Sequence, residues 1–77
     1  MRVDYYYDGE LIRVVYKEQP PLKGETVLVN FNHGDMQFET IVDYREMELG
    51  WKSDDGLYYE QSVRWKVYLT RPEDYID

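Results

Sequence analysis

The chain has 77 residues, with 16 Asp and Glu against 9 Lys and Arg, a net charge of −7, nine Tyr, two Trp, two Phe and no Cys. That length holds a single domain, residues 1–77, which buries only about 60% of its unfolded surface. The composition excludes disulfides and, with His33 as the one histidine, argues against a structural zinc set, which leaves packing, dimerisation or a partner as the sources of stability.

No run of 18 apolar residues is present to span a membrane. The start, Met1-Arg2-Val3-Asp4, alternates and carries charge, unlike a signal peptide. An acidic surface repels nucleic acid and anionic lipid, which argues against direct binding of either. A cytoplasmic protein is expected, and the lack of Cys fits a reducing compartment.

The chain opens with a hairpin. Asp8-Gly9 is a two-residue turn signal, because both residues tolerate the positive φ of a type I′ turn. That turn predicts Tyr7 opposite Glu10, Tyr6 opposite Leu11, Tyr5 opposite Ile12, Asp4 opposite Arg13 and Val3 opposite Val14. Alternation then gathers Val3, Tyr5, Tyr7, Ile12, Val14 and Tyr16 on one face. The other face carries Arg2, Asp4, Tyr6, Leu11, Arg13 and Val15, with Asp4–Arg13 as a favourable cross-strand pair. Tyr6, Leu11 and Val15 form a patch off the core face, read either as a second covered layer or as an exposed interface, including a homodimer interface.

Residues 18–25 are read as a loop, since Pro20 and Pro21 remove two backbone donors. A second hairpin is predicted around His33-Gly34, pairing 26–32 with 35–44. Its register sets Phe31 opposite Met36, Val29 opposite Phe38 and Val27 opposite Thr40. One face, Val27, Val29, Phe31, Met36, Phe38, Val42 and Tyr44, is apolar; the other, including Asp35, Glu39 and Asp43, is mostly polar. Beyond Tyr44 the apolar residues become odd-numbered (Met47, Leu49, Trp51), so a bulge, bend or break is expected near 44–46.

Lys52–Gly56 reads as a polar turn and Leu57-Tyr58-Tyr59 as a short strand. Val63, Trp65, Val67 and Leu69 alternate with Arg64, Lys66, Tyr68 and Thr70, which marks a half-buried strand. Arg71-Pro72 ends it, and Pro72-Glu73-Asp74 opens one short helical turn. Five or six short strands with hairpin connections predict an all-β fold, mainly antiparallel: a small barrel or curled sheet.

At Leu22-Lys23-Gly24-Glu25-Thr26-Val27-Leu28-Val29 the chain resembles the turn and strand of Src-homology-3-like barrels. That family's Ala-Leu-Tyr-Asp-Tyr and Ser-Asn-Tyr-Val segments are absent, and Val3-Asp4-Tyr5-Tyr6-Tyr7-Asp8 echoes only the first. The resemblance implies a barrel topology and carries over no residues for binding proline-rich peptides.

The charge is uneven. Residues 1–34 hold five acids and four bases; residues 35–60 hold eight acids against Arg45 and Lys52; residues 61–77 balance at three and three. Asp35, Glu39 and Asp43 lie on one predicted strand face about 13 Å apart, a spacing near that of every second phosphate. Glu46, Glu48, Asp54 and Asp55 extend the stripe. In size and composition the chain resembles the acidic DNA-mimic inhibitors of bacteriophages, which implies a phage protein acting in the host cytoplasm.

Catalysis by a nucleophile needs a base and an orienting group beside it. With Ser53, Ser62 and one turn histidine, no catalytic residue is assigned, and no enzyme activity is expected. Ser53-Asp54-Asp55-Gly56 lacks the alternating acids of a calcium loop, so no metal or other cofactor is expected.

The first functional reading is therefore an acidic protein-binding inhibitor or regulator that occupies the basic, nucleic-acid-binding surface of a partner protein. Its acidic face is Asp35, Glu39, Asp43, Glu46, Glu48, Asp54 and Asp55. Tyr44, Trp51, Tyr58 and Tyr59 are its aromatic anchors. A second reading is a structural or adaptor barrel packed in a larger assembly through apolar contacts, with the acidic segment serving only solvation. A third is a small hydrolase using a carboxylate pair.

Overall fold

The computed structural model describes residues 1–17, 19–31, 36–50 and 62–76. The predicted features at His33-Gly34, Asp35, Trp51, 52–56 (with Asp54 and Asp55) and 57–59 (with Tyr58 and Tyr59) lie outside the described residues. Five strands form: β1 (Arg2–Tyr7), β2 (Glu10–Tyr16), β3 (Thr26–Phe31), β4 (Met36–Gly50) and β5 (Ser62–Thr70). A 3-10 turn, Pro72–Asp74, follows, with proline early in the turn where its missing donor costs little. No helix among the described residues is long and apolar enough to cross a membrane.

The strands make one curled sheet, a half-barrel, in the order β2-β1-β5-β4-β3. The pairs β1–β2, β3–β4 and β4–β5 are antiparallel, and β1–β5 is parallel. The first and last strands thus meet in the middle of the sheet. The core lies inside the curl: Val3, Tyr5, Val29, Val42, Val67 and Leu69 are buried, with Tyr7, Ile12, Val15, Val27, Phe38 and Trp65 packed against them. Thr40 is buried among them and donates its hydroxyl to the Val27 carbonyl at 2.7 Å, which satisfies the polar group.

The β3–β4 register follows the alternation, from Phe31 opposite Met36 to Val27 opposite Thr40. The Asp8-Gly9 turn has both residues at positive φ, 53° and 80°, as a type I′ turn requires. Past that turn the expected Tyr7–Glu10 and Tyr6–Leu11 pairs form, and the β1–β2 register then departs from expectation. It slips by one residue between Tyr5 and Tyr6, so Tyr5 faces Arg13, Asp4 faces Val14 and Val3 faces Val15. The bulge at Ile12 lets both Ile12 and Val15 pack on the core, which strict alternation forbids. Val15 therefore leaves the predicted outer patch, while Val14 and Tyr16 are exposed rather than core. The expected Asp4–Arg13 pair does not form: Arg13 reaches across to the Asn30 carbonyl at 3.1 Å.

A second slip falls between Val42 and Tyr44, just ahead of the expected 44–46. With Asp43 in that bulge, Tyr44 moves off the core face and pairs with Tyr68 on the outside. At the bulge β4 is held by the segment that leads into its neighbour β3. The Val42 carbonyl accepts from the Gly24 N–H, the Val42 N–H donates to the Glu25 carbonyl, and Lys23 Nζ donates to the Asp43 carbonyl.

Candidate protein-binding face

The two bulges and the parallel β1–β5 pairing assemble three rows of side chains across the outer face. Register alone places Leu11, Tyr6, Tyr68 and Tyr44 in one row, Val14, Asp4, Lys66 and Glu46 in the next, and Tyr16, Arg2, Arg64 and Glu48 in the third. Each row runs through β2, β1, β5 and β4 in turn.

The tyrosine row is stacked. The Tyr6 and Tyr68 rings lie 5.2 Å apart at 19°, and Tyr68 and Tyr44 lie 4.4 Å apart at 15°. Aromatic pairs in such offset contact contribute roughly 0.5–1.5 kcal/mol beyond their burial. The row is wet at both ends: Leu11 is 49% and Tyr44 45% exposed. Desolvation pushes the Tyr68 hydroxyl up from its ordinary range, and the Glu46 carboxylate adds to the shift.

The other two rows form a five-residue ion network. Asp4 is 1% exposed. Its Oδ1 accepts from Arg2 Nε at 2.7 Å, and its Oδ2 lies 3.7 Å from Arg64 Nη1, outside hydrogen-bond reach. Arg64 also pairs with Glu48, which takes Lys66 Nζ at 3.0 Å on its other oxygen. Hydrogen bonds from Lys66 and Arg64 hold the Glu48 carboxyl below its ordinary range, and Glu48 raises Lys66 in return.

This network changes the electrostatics expected of the acidic segment. Glu48 is locally neutralised by two cations. Of the predicted Asp35–Glu39–Asp43 stripe, Asp35 lies outside the described residues, Glu39 is exposed, and Asp43 is half-buried at the bulge. Glu39 and Glu46 are exposed and make no ion pair among the described residues. Of the four predicted anchors, Tyr44 is the one within the described residues, and it joins Tyr6 and Leu11 of the predicted interface patch in a single row. The two expectations therefore merge into one face.

Sequence reasoning placed Arg2 beside Asp4, Tyr6 and Leu11 but missed Arg64, Lys66 and Tyr68 as parts of this face. The alternation of Arg64, Lys66 and Tyr68 was visible, but the neighbouring strand that completes each row was not. Among the described residues no three His, Asp or Glu side chains are grouped to hold a metal ion.

On the inner side, β2 and β3 leave a cleft of about 220 Å³, lined mainly by Tyr5, Ile12, Val15, Val27, Val29 and Leu69 and strapped by Arg13. It carries no catalytic arrangement. No protein-family model, curated protein or solved structure matches the chain.

Proposed function

We propose that the protein is a non-enzymatic binding module that docks a basic protein through the outer face of its sheet, around Tyr44 and Glu46. The observation that carries this reading is the stacked Tyr6–Tyr68–Tyr44 row, flanked by Leu11, exposed at Tyr44 and bordered by the Glu46 carboxylate, which makes no ion pair among the described residues. Stacking pre-orders the rings, so little side-chain entropy remains to be lost when a partner covers them. A tyrosine face beside a carboxylate suits an Arg or Lys side chain, which gains both ring and charge contacts. The net charge of −7 adds long-range attraction and speeds encounter.

Inhibition by occupying a nucleic-acid-binding groove follows from the same chemistry, because such grooves are basic. The neutralised Glu48 narrows that role: the recognition is that of a tyrosine platform with flanking carboxylates rather than a continuous row of phosphate-like charges. The test is affinity capture from a bacterial lysate with the wild type, Tyr44→Ala and Glu46→Lys in parallel, eluted by a salt gradient. A partner held by the wild type, released at moderate salt and lost with either variant is the expected result. Equal capture by all three proteins overturns the reading. Capture that resists salt favours an adaptor role built on apolar contacts, for which the exposed Leu11, Leu28, Met47 and Leu49 are the surface.

A further inference from the structure

The β4 strand continues well past the part of the barrel that covers it. β3 pairs with β4 only as far as Ile41, Gly24 and Glu25 bond Val42, and Lys23 caps the Asp43 carbonyl. From Tyr44 to Gly50 β4 pairs with β5 on one side, and no described residue pairs with its other side. This is a seven-residue strand edge beside the tyrosine row. Its outer side chains are Tyr44, Glu46 and Glu48, and its inner ones are Arg45, Met47 and Leu49. Met47 is 53% and Leu49 47% exposed, so the edge offers apolar surface next to its backbone groups. Arg45 lies over the Trp65 ring at 4.7 Å, which fixes the inner row's first member.

We infer that this edge accepts an extended segment of the basic partner as an added antiparallel strand, with Lys or Arg on the outer side facing Glu46 and apolar residues on the inner side facing Met47 and Leu49. The inference rests on the functional reading above and adds the form of the partner. Backbone hydrogen bonds supply affinity in such strand addition, and alternate side chains supply selectivity.

The charge pattern chooses a foreign strand over a second copy. Antiparallel self-pairing that keeps the faces matched opposes Glu46 with itself when centred there and sets Glu46 against Glu48 when centred on Met47. Centring on Arg45 opposes two guanidiniums. Like charges directly opposite one another destabilise a strand pair, and charges on an exposed edge block self-association. A Lys-bearing strand reverses the sign of the contact at Glu46.

The experiment uses the full chain and three synthetic probes: an acetylated, amidated peptide alternating Lys and Val, its Glu–Val counterpart, and the Lys–Val peptide with alternate backbone nitrogens methylated. Amide hydrogen exchange and chemical shifts are read by NMR. The expected result is that the Lys–Val peptide slows exchange within 44–50 by about tenfold or more. The methylated peptide gives no such slowing, and Glu46→Lys transfers the preference to the Glu–Val peptide. Equal binding by the methylated peptide without amide slowing overturns strand addition and leaves the basic-partner reading standing. No preference for Lys–Val over Glu–Val overturns that reading as well. Slowing of the same amides with added protein concentration and no peptide assigns the edge to a second copy and overturns the inference.

Discussion

Asp4→Asn isolates the ion network with the least change of shape. The carboxylate is 1% exposed, and its closest partner is Arg2 Nε at 2.7 Å, with Arg64 Nη1 at 3.7 Å. A hydrogen bond to a charged group contributes about 1.5–3 kcal/mol. Breaking a fully buried ion pair costs about 3–5 kcal/mol, because the surviving charge is stranded. Here the Arg2 and Arg64 side chains keep 39% and 33% of their surface, so they regain water when the carboxylate is removed. The lower range applies, and Asp4→Asn is expected to destabilise by about 2 kcal/mol. For a domain of this size each kcal/mol moves Tm by about 4–8 °C, so Tm falls by about 8–16 °C. Urea unfolding followed by tryptophan fluorescence measures the free energy, and calorimetry measures Tm. If the Asp4→Asn variant lies within about 0.5 kcal/mol of wild type, the range of an ordinary surface change, Asp4 is not the hub of the network. Asp4→Ala should cost at least as much. If it proves more stable than wild type, the carboxylate is a net burden on the fold.

Acid should weaken the outer face through Glu48. Its folded carboxyl is held below the ordinary range by Lys66 and Arg64, so the unfolded chain binds the proton more readily. The stabilisation is complete above the unfolded value and is lost as pH falls through the folded one. Glu48→Gln should flatten that part of the acid limb in pH-dependent urea melts, and an unchanged limb would assign it elsewhere. Gly24 sits at φ +90°, and an added Cβ would lie 3.2 Å from the Tyr75 hydroxyl. Gly24→Ala should therefore cost about 1–2 kcal/mol by backbone strain, and a neutral effect in thermal melts would show that Tyr75 and the turn relax freely.

Much of the local structure was legible from residue order. Asp8-Gly9 specified its turn because few residue pairs accept two positive φ angles. The β3–β4 register and the faces of β5 could be read because alternation marks which side of a strand is buried. The slip in β4 was visible as the shift from even to odd apolar positions, from Val42 to Met47. The bulge at Ile12 gave no such warning, since Ile12, Val14 and Val15 are all apolar and fit either register.

The outer face was decided at the tertiary level. Alternation tells a residue's side but not its neighbour across the sheet, and no local pattern pairs β1 with β5, whose partners run from Arg2 and Arg64 to Tyr7 and Leu69. That pairing sets Tyr6 beside Tyr68 and Asp4 beside Lys66, with Arg64 one row away and 3.7 Å from the Asp4 carboxylate. The Asp43 bulge then turns Tyr44 outward to finish the stack. Composition supplied the acids and the tyrosines. Which acids are neutralised, and which tyrosine is presented beside the Glu46 carboxylate, followed only from two one-residue slips and one parallel strand pair.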